Sequence, residues 1–179
     1  NCHKQSQALF EKQLLSPAEI ESSLIAMIAL LRSINSRNRV IFTLSPVRHL
    51  KDGFVENQLS KSLLHAGLQK ACDQESADYF PAYEIMMDEL RDYRFYNEDL
   101  LHPNSAAVSY IWKHFKLMYF DDKTALISEK SHKYYQLKKH KVLSKQINEE
   151  KNHHEKVVTQ RLALLKEYPY LMLETKNIH

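Results

Sequence analysis

The sequence predicts an α/β fold, with helices alternating with strands around a parallel sheet and a long helical extension at the C-terminal end. Three observations carry that expectation. Helical and strand-like segments alternate over residues 16–119 in the order helix, strand, helix, strand, helix, the order that builds parallel sheets. The run VIFTL, residues 40–44, is short, β-branched and almost wholly apolar, as suits a parallel strand covered on both faces. Residues 128–168 are rich in charge and contain no proline or glycine, which suits a long helix or an αα-hairpin.

Each element has a local cause. Ser16, Pro17 and Glu19 read as an N-cap, a proline at the first helical position and a capping-box glutamate. Ile20, Leu24, Met27, Ile28 and Leu31 then recur at helical spacing and predict one buried face, with the helix ending in the polar residues 36–39. SPVRHLKDG, residues 45–53, reads as a loop in which Gly53 can turn. A second helix is expected over residues 55–72, with Leu59, Leu63, Ala66 and Ala71 inward. A second strand is expected around residues 79–85, although Pro81 removes a ladder donor and belongs at a strand's beginning or edge. The polar and aromatic tract of residues 88–104 has no clean period, and a third helix starts at Asn104 or Ser105 and runs through Trp112 to about Tyr119.

In the tail, Leu143, Ile147, His154, Val158, Leu162 and Leu165 mark a narrow apolar seam. Packing on the preceding domain or on a protein partner is the expectation for residues 121–179, whose mixed charges otherwise describe a solvated amphipathic face. Two strands are few for a doubly wound sheet, and the chain opens on Asn1 rather than on methionine. Both point to a fragment whose remaining strands precede Asn1.

Composition excludes several function classes. A net charge of +3 and a pI near 8.7 are mildly basic, short of a nucleic-acid footprint, so no nucleic acid is expected. Two glycines leave no material for a Walker or dinucleotide loop. No apolar run approaches the ~20 residues of a membrane span. Cys2 and Cys72 form neither a metal pattern nor a disulfide framework and fit a reducing compartment such as the cytoplasm. His132, His140, His153 and His154 lack a cysteine or acid to complete a metal site; no metal or cofactor is expected.

In open parallel sheets the site lies beyond the carboxyl ends of the strands. Residues 1–4, residues 45–52 and the loop of Asp99 and His102 should meet there, bringing Ser45, Arg48, His49, Arg91, Arg94, Asp99 and His102. The spacing D-x-x-H lets Asp99 orient the imidazole of His102 toward a nucleophile. The same residues also suit an ordinary helix start with a surface histidine. Arg48, Arg91 and Arg94 can hold a carboxylate or phosphate, or pair with Asp92, Glu89 or Glu84. His49 can line the pocket or belong to the loop alone.

NCHK (residues 1–4), SPVRHLKDGFVENQLSKSLL (residues 45–64), YFPAYEIMMDELRDYRFYNEDLLHPN (residues 79–104) and YIWKHF (residues 110–115) resemble, in order, the later sequence blocks of the GSCFA family. The likeness covers roughly residues 1–120. It implies a partial three-layer α/β/α domain of the SGNH, GDSL-like or flavodoxin-like kind over residues 1–120, with residues 121–179 as a helical extension. It also implies a serine nucleophile on an N-terminal block, with Asp99 and His102 as the closing D-x-x-H block and Asn1 as a contributor to the oxyanion hole. The Gly-Ser-Cys-Phe-Ala motif that names the family is not in this chain. Ser45 can replace its serine only by position, since Pro46 follows and no strand-to-helix elbow is present.

The function implied is hydrolysis of an acyl or acetyl ester, carbohydrate-linked esters included. Asp99 and His102 are the catalytic pair, and Ser45, Arg48, His49 and Arg94 are substrate-binding candidates. Without the serine the chain alone is expected to be inert. The alternative is a non-catalytic binding or scaffolding protein on the same fold, interacting through its C-terminal helix.

Overall fold

A computed structural model describes residues 5–11, 13–140 and 147–173. The chain forms two compact units, Asn1–Phe115 and Lys116–His179. The first contains α1 (Pro17–Ile34), β1 (Ile41–Thr43), α2 (Phe54–Glu75), β2 (Asp78–Phe80) and α3 (Ala82–Glu84), which continues as a π-helical turn at Ile85–Glu89. It ends within α4 (Ser105–Tyr119).

β1 and β2 pair in parallel, with Ile41 opposite Asp78, Phe42 opposite Tyr79 and Thr43 opposite Phe80. The mixed α/β class with a parallel sheet is therefore as the sequence predicts. Both strands are shorter than expected. Pro81 ends β2 at Phe80, because its nitrogen cannot extend the ladder. Its carbonyl instead accepts the Ile85 N–H at 3.0 Å, so the expected strand at residues 79–85 turns helical after its second residue. β1 is not covered on both faces either: Ile41 and Phe42 are half-buried and Thr43 is exposed.

α1 starts with the expected capping box. Ser16 Oγ accepts the Glu19 N–H at 3.3 Å, and Glu19 Oε2 accepts the Ser16 N–H at 2.8 Å. Its covered face is narrower than its apolar stripe. Ile20 and Ile28 are buried and Leu24 half-buried, whereas Met27 and Leu31 are 41% and 36% exposed.

α2 buries Gly67, Leu68, Ala71 and Cys72, while the expected inward residues Leu59 and Ala66 are exposed and Leu63 is only half-buried. Gly67 permits the approach of α1, since a Cβ there would lie 2.6 Å from the Pro17 carbonyl oxygen and 2.7 Å from Ile20 Cγ2. Toward its start, the buried residues of α2 are polar, Asn57 and Lys61. That part of the helix covers the backbone of the loop after β1 instead of an apolar surface. On β2, Phe80 meets Phe115 of α4 edge-on at 5.0 Å.

The second unit is a helical hairpin of α5 (Asp122–Lys139) and α6 (Ile147–Glu167). Lys130 pairs with Glu167 at 2.6 Å and the His140 ring lies 5.7 Å from that of His153, so the helices run antiparallel. Tyr134, Leu164, Tyr168 and Leu173 form its core, flanked by Ile127, Val157 and Leu165. The expected seam is displaced. His154 is exposed, Val158 and Leu162 are 40% and 58% exposed, and of that set Leu165 borders the core. Leu143 and the side chain of Ile147 lie outside the described residues. Among the described residues no helix is long and apolar enough to cross a membrane.

Candidate active site

Residues 95–104 form a closed hairpin that ends at the start of α4. Tyr96 and Pro103 are bridged antiparallel, the Asn97 N–H donates to the His102 carbonyl at 2.8 Å, and the Asn104 N–H donates to that of Phe95 at 2.9 Å. Between those arms Leu100 takes φ +55°, a left-handed conformation that costs a non-glycine residue ~1–2 kcal/mol. The turn brings two N–H groups onto one carboxylate oxygen. Asp99 Oδ1 accepts from Leu101 at 2.9 Å and from His102 at 3.0 Å.

The other oxygen, Oδ2, lies 2.6 Å from His102 Nδ1. The N–H of His102, that of Leu101 and then the imidazole hold the Asp99 carboxyl at about 2, below its ordinary value. An ionised Asp99 is an acceptor only, so it fixes the proton on Nδ1 and leaves the Nε2 lone pair outward. Nε2 has no hydrogen-bond partner among the described residues, and the His102 side chain is 56% exposed. An imidazole held in this tautomer can accept a proton from a nucleophile presented to it.

The loop after β1 is fixed from α2. Lys61 Nζ donates to the Ser45 carbonyl at 2.6 Å and Asn57 Oδ1 accepts the His49 N–H at 2.9 Å. Burial pushes the Lys61 amine below its ordinary pKa. Beside this loop Tyr79 donates to both Glu84 oxygens at 2.9 Å; burial, then Glu84, pushes its phenol up.

The sequence candidates fall at two places. Arg48 and His49 are exposed and line a small cavity of about 40 Å³ with Leu50, Gly53, Phe54 and Asn57. Ser45 is exposed two residues past β1, its Oγ accepting the Val47 N–H at 3.3 Å. Among the described residues no hydrogen bond or ion pair joins Ser45, Arg48 or His49 to Asp99 or His102. Arg94 belongs to the hairpin side, lying 4.9 Å over the Phe95 ring and 3.9 Å from Asp92 Oδ2. Arg91 pairs with Asp88 at 3.3 Å. Asn1, Cys2 and His3 lie outside the described residues, and among those described no group of three histidine, cysteine or acidic side chains could hold a metal ion.

Sequence reading missed Asn57, Lys61 and the hairpin role of Asn104. The only signal for the first two is their four-residue spacing, which puts two polar side chains on one helical face.

These features define a mixed α/β protein that displays an oriented Asp–His pair on a braced hairpin. The chain belongs to the GSCFA family, whose model matches residues 1–115. No curated protein and no solved structure matches it.

Proposed function

We propose that the chain supplies the acid–base part of a serine ester hydrolase of the SGNH, GDSL-like kind. Its first 120 residues belong to a three-layer α/β/α domain, and residues 121–179 are a helical extension open to a protein partner. The substrate is an acyl or acetyl ester, carbohydrate-linked esters included, and neither nucleic acid nor membrane is part of the reading. The observation that carries it is the 2.6 Å contact between Asp99 Oδ2 and His102 Nδ1, with Nε2 outward.

A serine from sequence preceding Asn1 attacks the ester carbonyl as His102 Nε2 takes its proton. The imidazolium, stabilised by Asp99, passes that proton to the leaving alcohol, and water then releases the acyl group by the same route. Asn1 donates to the oxyanion, while Ser45, Arg48, His49 and Arg94 line the substrate. Hydrolysis of a nitrophenyl acetate by the protein with its upstream sequence tests this. His102→Gln should lower kcat by roughly 10³-fold or more, and ordinary activity in that variant would overturn the mechanism.

The exposed Val158 and Leu162 of α6 favour a second reading, a non-catalytic binding protein that uses its C-terminal helices. It predicts no ester hydrolysis at all, and weaker partner binding or oligomerisation when residues 121–179 are deleted.

A further inference from the structure

Asn104 follows the histidine by two residues, and its side chain is used at both ends. Oδ1 accepts the N–H groups of Ala106 and Ala107, each at 3.1 Å, which caps α4. Nδ2 donates backward to the Arg94 carbonyl at 2.6 Å and to that of Tyr96 at 3.3 Å. With its backbone N–H on Phe95 O, this one residue joins three pieces: the aromatic turn Tyr93–Phe95, the hairpin that carries Asp99 and His102, and the first turn of α4. An ordinary N-cap requires only the Oδ1 bonds.

We propose that Asn104 is a positioning residue for His102. Its Nδ2 bonds hold the His102 arm against the Tyr93–Phe95 turn, so that Asp99 and the imidazole keep one mutual geometry, and the same bonds fix the backbone of Arg94. The catalytic consequence rests on the ester-hydrolase reading, whereas the geometric claim does not.

Serine caps helices about as well as asparagine but cannot reach back with two donors. Asn104→Ser therefore separates capping from positioning, and Asn104→Asp, a further good cap without the donors, serves if the serine variant folds poorly. Nitrogen NMR of the histidine rings and amide exchange, both on the 179-residue chain, need no turnover. In the variant the His102 ring should lose its preference for the Nδ1–H tautomer. Exchange at the Leu101 and His102 amides should rise about tenfold, the scale of one lost hydrogen bond, while Ala106 and Ala107 exchange as in the wild type. An unchanged tautomer with unchanged exchange at Leu101 and His102 would overturn the proposal, as would an equal rise at Ala106 and Ala107.

Where the full protein hydrolyses esters, kcat should fall in Asn104→Ser with KM little altered and the acid limb of the pH profile displaced. A fall in stability with kcat and its pH profile intact would leave Asn104 a cap and also overturn the proposal. Absence of esterase activity in the wild type would count against the enzymatic reading alone, since the tautomer and exchange results stand independently.

Discussion

Asp99 and His102 are joined twice: Oδ2 meets the imidazole Nδ1 at 2.6 Å, and Oδ1 accepts the His102 backbone N–H at 3.0 Å. The backbone bonds from His102 and Leu101 contribute most to lowering the Asp99 carboxyl from 3.8 to about 2, with the imidazole third. Because the folded value lies below the unfolded one, this stabilisation is fully present above about pH 4. It is lost as pH falls through about 2. Carbon NMR titration of the Asp99 carboxyl should show a midpoint near 2. In His102→Gln the midpoint should rise but stay below 3.8, since the backbone donors remain; a wild-type midpoint near 4 would mean that those donors are not engaged.

Lys61 is the second point at which one side chain fixes candidate site backbone. Its amine is buried on α2 and donates to the Ser45 carbonyl at 2.6 Å. Lys61→Met keeps the length and apolar stem but orphans that carbonyl, for a loss of about 1 kcal/mol. Amide exchange should then quicken over residues 46–50, with β1 and β2 unaffected. Burial lowers the pKa of this amine, so the unfolded chain holds the proton more tightly. The charge on Lys61, relative to its neutral amine, therefore offsets part of what its hydrogen bond contributes below the folded pKa, and this offset fades as pH rises from the folded pKa through the unfolded one. Urea unfolding at rising alkaline pH should show the gap between wild type and Lys61→Met moving in favour of the wild type.

What was legible in the sequence follows from the range of the interactions involved. The start of α1 could be read because Ser16, Pro17 and Glu19 make their contacts within one turn. The parallel pairing followed from the alternation of elements, whereas a spacing of three left Asp99 and His102 open to an ordinary helix start, and the likeness of the neighbouring blocks to the family is what singled them out as a pair. The brace around that pair was not legible: Asn104 reaches ten residues back to Arg94, and the left-handed turn falls on Leu100, where a leucine gives no warning. On α2 the expectation holds for Ala71 but fails for Leu59, because burial toward the start of that helix follows polar contact with a loop, as between Lys61 and Ser45, sixteen residues apart. Apolar periodicity reports covering by side chains and is blind to that kind of covering.

Gly67 sets the distance between α1 and α2. Alanine would gain ~1 kcal/mol of helix propensity. Its Cβ, however, would sit 2.6 Å from the Pro17 carbonyl oxygen and 2.8 Å from Ile20 Cβ, neither of which is the end of a flexible side chain. Overpacking of this kind costs ~1–3 kcal/mol, so Gly67→Ala should lower unfolding stability despite the better propensity. A rise in Tm would show that α1 can shift away freely.

The hairpin of α5 and α6 gives the sharpest contrast between the apolar pattern and the actual packing. Apolar spacing put Leu162 on the seam, yet Leu162 is 58% exposed while Leu164, two residues on, is 5% exposed and packs with Tyr134, Tyr168 and Leu173. Leu173 lies beyond the end of α6 and past Pro169, so the buried face is chosen partly by a segment outside the helix, which no periodicity within α6 encodes. Leu164→Ala removes a core side chain and should cost ~2–5 kcal/mol. Leu162→Ala should change stability by no more than about 0.5 kcal/mol. Thermal unfolding of the two variants, followed by amide exchange in α5 and α6, checks the assignment, and equal losses would return the seam to the face that the sequence alone suggested.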